Sequence, residues 1–140
     1  MPTEDPNRKG RFLYSTSTKF EFQFGYSRAV RHGNVIRIAG TAGLDENGQV
    51  VSDDVVEQTR RALDIVKNAI EELDGALDDV IMTRVFVSEA RNLDRVAVAH
   101  GEFFREVRPA TTIVRVDFID PKILVEIEVE AVLGAKKEKI

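Results

Sequence analysis

From Ile123 to Val132 the chain alternates with a strict period of two. Val125, Ile127, Val129 and Ala131 fall on one side, and Glu126, Glu128 and Glu130 on the other. Successive strand side chains point to opposite faces, so this segment demands a sheet with one apolar and one acidic face. The apolar face needs a cover, and the sequence supplies one. Val55, Val56, Thr59, Ala62, Leu63, Val66, Ala69, Ile70 and Leu73 recur at spacings of three and four, the stripe of an amphipathic helix. Ser52 or Asp53 is placed to cap its start, and Gly75 to terminate it. Leu93, Val96, His100, Phe103 and Phe104 trace a second helical face, which Arg108-Pro109 ends.

The remaining segments read as strands. Tyr26–Arg31 and Val35–Ala39 flank His32-Gly33-Asn34, the signature of a hairpin. Val80–Ser88 and Thr111–Phe118 are rich in β-branched residues, and Asp120-Pro121-Lys122 forms a turn before the last strand. The order β-β-α-β-α-β-β predicts an α+β fold, a mixed sheet with two helices on one face. If the last two strands form a hairpin around Asp120-Pro121, Arg115 lies opposite Glu126. A chain of 140 residues suits one domain. Residues 1–10 read as a flexible N-terminus, 11–134 as a single domain and 135–140 as a Lys-rich tail.

Composition narrows the function. The net charge of -4, with 20 Lys and Arg against 24 Asp and Glu, makes nucleic acid an unlikely main partner. Without cysteine there are no disulfides and no thiolate metal sites or nucleophiles, which fits a cytoplasmic protein. No apolar run is long enough for a membrane span, and Met1–Gly10 lacks the core of a signal peptide. The two histidines form no metal motif, and Gly40-Thr41-Ala42-Gly43 is too short for a phosphate loop. The expectation is no metal and no cofactor.

Two features could carry chemistry. The row Glu126, Glu128, Glu130 is either a solvated or cation-paired ladder, or a group of carboxyls whose mutual repulsion raises a pKa for acid–base work. His100, in register with Val96 and Phe103, is either a hydrogen-bonded core histidine or a base or donor in a pocket. His32 falls in the hairpin turn.

Six stretches in order extend this reading: Gly25-Tyr26-Ser27-Arg28-Ala29-Val30, Val35-Ile36-Arg37-Ile38-Ala39-Gly40-Thr41, Gln58-Thr59-Arg60-Arg61-Ala62-Leu63, Thr83-Arg84-Val85-Phe86-Val87, Arg108-Pro109-Ala110-Thr111-Thr112 and Val125-Glu126-Ile127-Glu128. Together they resemble the Rid family of small reactive-intermediate deaminases, also called the YjgF or L-PSP family. The resemblance implies a chorismate-mutase-like fold assembled as a homotrimer. The sheets would form a central barrel and the ligand clefts would lie between subunits. It implies cofactor-free hydrolysis of 2-imino or enamine acids to 2-keto acids and ammonia.

Residue by residue, Tyr26 matches the family's pocket tyrosine. Gly40 matches the strand-end glycine whose backbone approaches substrate, and Glu126 the glutamate that positions the attacking water. The departure is at Thr111, where the active deaminases carry the arginine that grips the substrate carboxylate. Arg28, Arg84 and His100 are the candidates to compensate; the alternative is that both arginines pair with Glu126 or Glu128. The leading reading is a divergent imine or enamine deaminase acting on a small molecule. The alternative is a non-catalytic trimer that binds a small metabolite. Ribonuclease activity, ascribed to some relatives, fits the acidic charge least.

Overall fold

The computed structural model describes residues 1–16 and 19–134. It contains seven strands, β1 (Thr3–Glu4), β2 (Arg11–Tyr14), β3 (Ala29–His32), β4 (Val35–Ala42), β5 (Val80–Val87), β6 (Ala110–Arg115) and β7 (Val125–Val132). Its helices are α1 (Lys19–Phe24), α2 (Val55–Glu72) and α3 (Leu93–Phe104). The strands form one mixed sheet in the order β1-β2-β3-β4-β7-β5-β6.

The expected α+β architecture is present, with α2 packed on β4 and β7 and α3 alongside α2. Three elements precede those read from the sequence. Strand β1 pairs with Leu13 and Phe12, so part of the segment read as a loose N-terminus joins the sheet edge. Strand β2 pairs with β3, and α1 lies between them in sequence. The Lys-rich tail at 135–140 lies outside the described residues.

The expected β6–β7 hairpin is not formed. Strand β6 lies parallel to β5, with Thr83 beside Thr111 and Val87 beside Arg115. Two parallel strands joined by a helix form a βαβ unit, and α3 is that crossover. Strand β7 instead runs between β4 and β5, antiparallel to both. Arg115 therefore does not face Glu126; the residues opposite Glu126 are Ala42 and Phe86.

The helix stripe behaves as its spacing demands. Val55, Thr59, Ala62, Leu63, Val66, Ala69 and Ile70 are buried against Ile36, Ile38, Val85, Ile127 and Val129. The cap is Asp54, one residue beyond the expected pair: its carboxylate accepts from the Val56 N–H, while the Ser52 hydroxyl accepts from the Asp54 N–H. At the other end Asp74 takes the left-handed φ of 69°, and the Gly75 N–H bonds the Ile70 carbonyl. Gly75 is required by space: a Cβ there would stand 2.8 Å from Leu133 and 2.9 Å from Ile70. On α3, Val96 and Phe104 are buried, but Leu93 is 42% exposed.

Candidate active site

The acidic face of the sheet carries the first cluster. Strand β4 loses regular register against β7 between Ile38 and Thr41, an irregularity centred on Ala39 and Gly40. Gly40 lies directly against Glu126: a Cβ there would be 2.7 Å from Glu126 Oε1. Only a glycine leaves the carboxyl this position. Glu126 is half-buried, and desolvation pushes its carboxyl above the ordinary value, a rise that the nearby Arg28 charge opposes.

Arg28 immediately precedes β3 and is 9% exposed. Its Nη1 donates to the Gly40 carbonyl at 2.7 Å and to the Thr41 hydroxyl at 3.2 Å. The guanidinium lies 5.9 Å from the centre of the Tyr26 ring. Tyr26 is itself 42% exposed, and its N–H is held by the Glu21 carbonyl. Tyr26, Arg28, Gly40 and Glu126 thus form one continuous group.

Arg84 adopts the paired arrangement. It contacts Glu128 at 3.3 Å and Glu130 at 3.4 Å, and Arg37 adds a second cation 3.6 Å from Glu130. Two of the three glutamates therefore form a cation-paired ladder, whereas Glu126 is the desolvated one. An open groove of about 770 Å³ runs over this face, lined among others by Phe22, Tyr26, Arg37, Arg84, Glu128 and Glu130.

The second cluster lies on the helix-covered face. His100 Nε2 stands 2.9 Å from the Thr83 hydroxyl, which stands 2.8 Å from that of Thr111. The Thr111 hydroxyl donates to the Pro109 carbonyl at 3.2 Å. A hydroxyl has one proton to give, so the chain has one direction: His100 Nε2–H to Thr83, Thr83 to Thr111, Thr111 to Pro109. Burial lowers the His100 pKa, which keeps the imidazole neutral at pH 7. Its ring centre lies 4.7 Å from that of Phe104. Thr83 is fully buried and links the other two, a role that no pattern in the residues around it announces.

The two clusters do not meet within one chain. Thr111 pairs with Thr83, whereas Glu126 pairs with Phe86, three positions further along β5 and on its other face. At about 3.3 Å per residue this is roughly 10 Å along the strand, with the sheet between.

Sequence reasoning also passed over Gln58. It is fully buried, its Nε2 donates to the Ser52 and Lys122 carbonyls, and its Oε1 accepts from the Leu124 N–H. It fastens α2 to the chain entering β7, two residues before Glu126. Its amide could have been suspected from its place inside the apolar stripe of α2.

A two-layer α+β domain with a desolvated carboxyl against a strand-end glycine defines a small-molecule-binding scaffold. Residues 16–133 match the family described as Endoribonuclease L-PSP. The chain belongs to this family, which is also the YjgF/YER057c/UK114, or Rid, family. It is 39% identical over 121 residues to an uncharacterised protein of Streptomyces coelicolor, covering 86% of this chain and 90% of that one. It is 32% identical over 103 residues to the 3-aminoacrylate deaminase RutC of Acinetobacter baylyi, covering 73% and 82%. A crystal structure of a YjgF/YER057c/UK114 family member from Mycobacterium tuberculosis superposes with a TM-score of 0.81 at 37% identity, covering 88% of this chain and 99% of that one.

Proposed function

We propose that the protein is a cofactor-independent deaminase. It would hydrolyse a small imine or enamine to a carbonyl compound and ammonia, as a divergent member of its family. The observation that carries this reading is the half-buried Glu126 carboxyl, raised in pKa and seated against Gly40. A carboxyl with a raised pKa serves both halves of the reaction. As carboxylate it takes a proton from water while the oxygen bonds to the C=N carbon; as acid it returns that proton to the nitrogen. The carbinolamine hydroxyl then gives its own proton to the nitrogen by way of the same carboxyl, the C–N bond breaks, ammonia leaves and the C=O forms; an enamine first takes a proton on carbon to become the imine. The likeness to a 3-aminoacrylate deaminase supports the same chemistry.

The opposed placement of the two clusters supports a site shared between subunits. Tyr26, Arg28, Gly40 and Glu126 of one copy and Thr111 and His100 of its neighbour would meet only across an interface. We therefore infer a homotrimer with ligand clefts between subunits, acting in the cytoplasm and built from the single domain expected at 11–134, to whose sheet edge β1 is added.

A second reading has its own observation. The Thr111 hydroxyl already donates to the Pro109 carbonyl, and the resemblance sets this residue where active deaminases would carry an arginine. This favours a trimer that binds a small metabolite without turning it over. An imine-hydrolysis assay separates the two. An amino-acid oxidase generates a panel of 2-imino acids in place, and keto-acid release is followed. Acceleration by the wild type that is lost in Glu126→Ala is the expected result. No acceleration by the wild type, with a gain in Thr111→Arg, would overturn deamination of 2-imino acids and favour a ligand without that carboxylate. Silence from both would leave the binding protein.

A further inference from the structure

A second groove, also of about 770 Å³, lies where the starts of α2 and α3 meet the loop that enters β7. No residue of the two clusters above lines it; Val55 and Leu124 give it apolar walls, and Asn92 lies in it. Asn92 is only 9% exposed, yet among the described residues its side-chain amide has no hydrogen-bond partner. It occupies the cap position of α3, where an asparagine oxygen ordinarily accepts from the first turn. Here the backbone is already helical, at φ -88° and ψ -3°, and that bond is not made. The short 3-10 turn Ala90–Asn92 runs straight into the helix and satisfies the Leu93 N–H with the Ala90 carbonyl. The amide is thus withdrawn from solvent without a structural task, which is costly unless something else bonds it. No fully buried side-chain nitrogen or oxygen lacks a partner among the described residues, so its polar atoms open to the groove. The charges around it are mostly spent: Arg91 pairs with Glu89, and Arg95 with Asp54 at 2.6 Å. Two remain without an ion pair among the described residues, Lys122 and Asp53, one of each sign and both on the groove wall.

We propose that this groove is a second small-molecule site, in which the Asn92 amide pairs with a carboxylate and with a hydrogen-bond donor on the carbon beside it. The ligand class is an α-amino or α-hydroxy acid with an apolar side chain. An amide offers one donor side and one acceptor side. Asn92 Nδ2 donates to the carboxylate, and Oδ1 accepts from the α substituent. Lys122 balances the acid, Asp53 balances an ammonium where there is one, and Val55 and Leu124 receive the side chain. The site is separate from Glu126 and its sheet face, and it does not depend on the deaminase reading.

The test titrates L-valine, L-2-hydroxy-3-methylbutanoate and 3-methylbutanoate into the intact protein, followed by NMR of the Asn92 side-chain amide. At least one of the first two should shift that amide and bind roughly 10-fold or more tightly than 3-methylbutanoate, which has the same carbons but no α donor. Tight valine that weakens in Asp53→Asn assigns the amino acid; a tight hydroxy acid, indifferent to Asp53→Asn, assigns the hydroxy acid. Asn92→Leu keeps the volume and should weaken the bound acid by roughly 10- to 100-fold without lowering Tm, because no protein group loses a bond. Lys122→Gln, at an exposed side chain, should weaken it by roughly 2- to 5-fold and decides the matter even if Asn92→Leu does not fold. A wild type that binds none of the acids would overturn the proposal, and so would shifts confined to the Glu126 face with the Asn92 amide unmoved. Equal affinity for 3-methylbutanoate, or wild-type affinity in a folded Asn92→Leu or in Lys122→Gln, would overturn it as well.

Discussion

Gly40 and Glu126 touch across β4 and β7 so closely that a single methyl group on the glycine would stand 2.7 Å from the carboxyl oxygen. The obstructed atom is the far end of a flexible side chain, so Gly40→Ala should fold, with stability within about 1 kcal/mol of wild type. The carboxyl, however, must turn away. A displacement of about 1 Å at a reacting group can cost on the order of 100-fold. The expected outcome is a fall in kcat/KM of roughly 10- to 100-fold at nearly unchanged Tm. Wild-type turnover in a folded Gly40→Ala would show that Glu126 need not occupy this position.

Glu126 gives a pH signature of definite sign. Its folded-state pKa is raised above the ordinary 4.5 by burial. The unfolded chain therefore ionises more readily, and the favourable contribution of the protonated form is complete below pH 4.5 and is lost as pH rises through the folded value. Glu126→Gln should be more stable than wild type at pH 7, and the difference should vanish near pH 4. Thermal unfolding of the two proteins across that range reads it directly. In parallel, the acid limb of kcat/KM should lie above pH 4.5.

His100 behaves in the opposite sense. Burial holds its pKa below 6.5, so the unfolded state takes up protons first as pH falls. Stability should decline as pH falls below 6.5 toward the folded value. In His100→Gln that part of the decline should disappear. An NMR titration should place the imidazole transition below pH 6.5 with the proton on Nε2. A neutral imidazole with its proton on Nδ1 would break the hydrogen-bond direction assigned through Thr83 and Thr111, and a midpoint above 6.5 would show that burial does not set the titration.

Gln58 is the structural support behind Glu126. Gln58→Leu keeps the volume but strands the Ser52 and Lys122 carbonyls and the Leu124 N–H, three part-buried groups, each costing up to about 1–3 kcal/mol when unpaired. A loss of about 3 kcal/mol is expected, lowering Tm by roughly 10 °C. Turnover should fall as well, because the entry to β7 loses its anchor two residues before the carboxyl. A Tm within about 2 °C of wild type would show that water or a relaxed loop replaces the amide.

The local chemistry of this chain was legible because it is periodic. The stripe from Val55 to Leu73 and the alternation from Val125 to Ala131 each have one solution, and both elements occur where the spacing puts them. Gly40, Arg28 and Glu126 could be named from the order of motifs, and the structure brings them together. What was not legible is non-local. The choice between a β6–β7 hairpin and a β5–β6 parallel pair depends on the α3 crossover, and no residue near Asp120 records it. The Asp54 cap lay one position from the expected pair, since Ser52, Asp53 and Asp54 all offer a side-chain acceptor. Thr83 and Gln58 escaped because a buried polar side chain inside an apolar pattern shows its worth only through its partners.

The central place of β7 has a consequence for how the chain is made. This strand is the last of the seven to be synthesised, yet it joins β4 to β5. Until it emerges, the strands before it form two separate pieces, one ending at β4 and one at β5–β6, with no ladder between them. The nascent domain would therefore have an open seam, closed only by contacts far apart in sequence, and such closures are slow. A chain interrupted between β6 and β7 would lose Glu126 and the bond between its two half-sheets in the same event. Synthesis of a complete sheet and of a complete site is thus a single step, taken at the end.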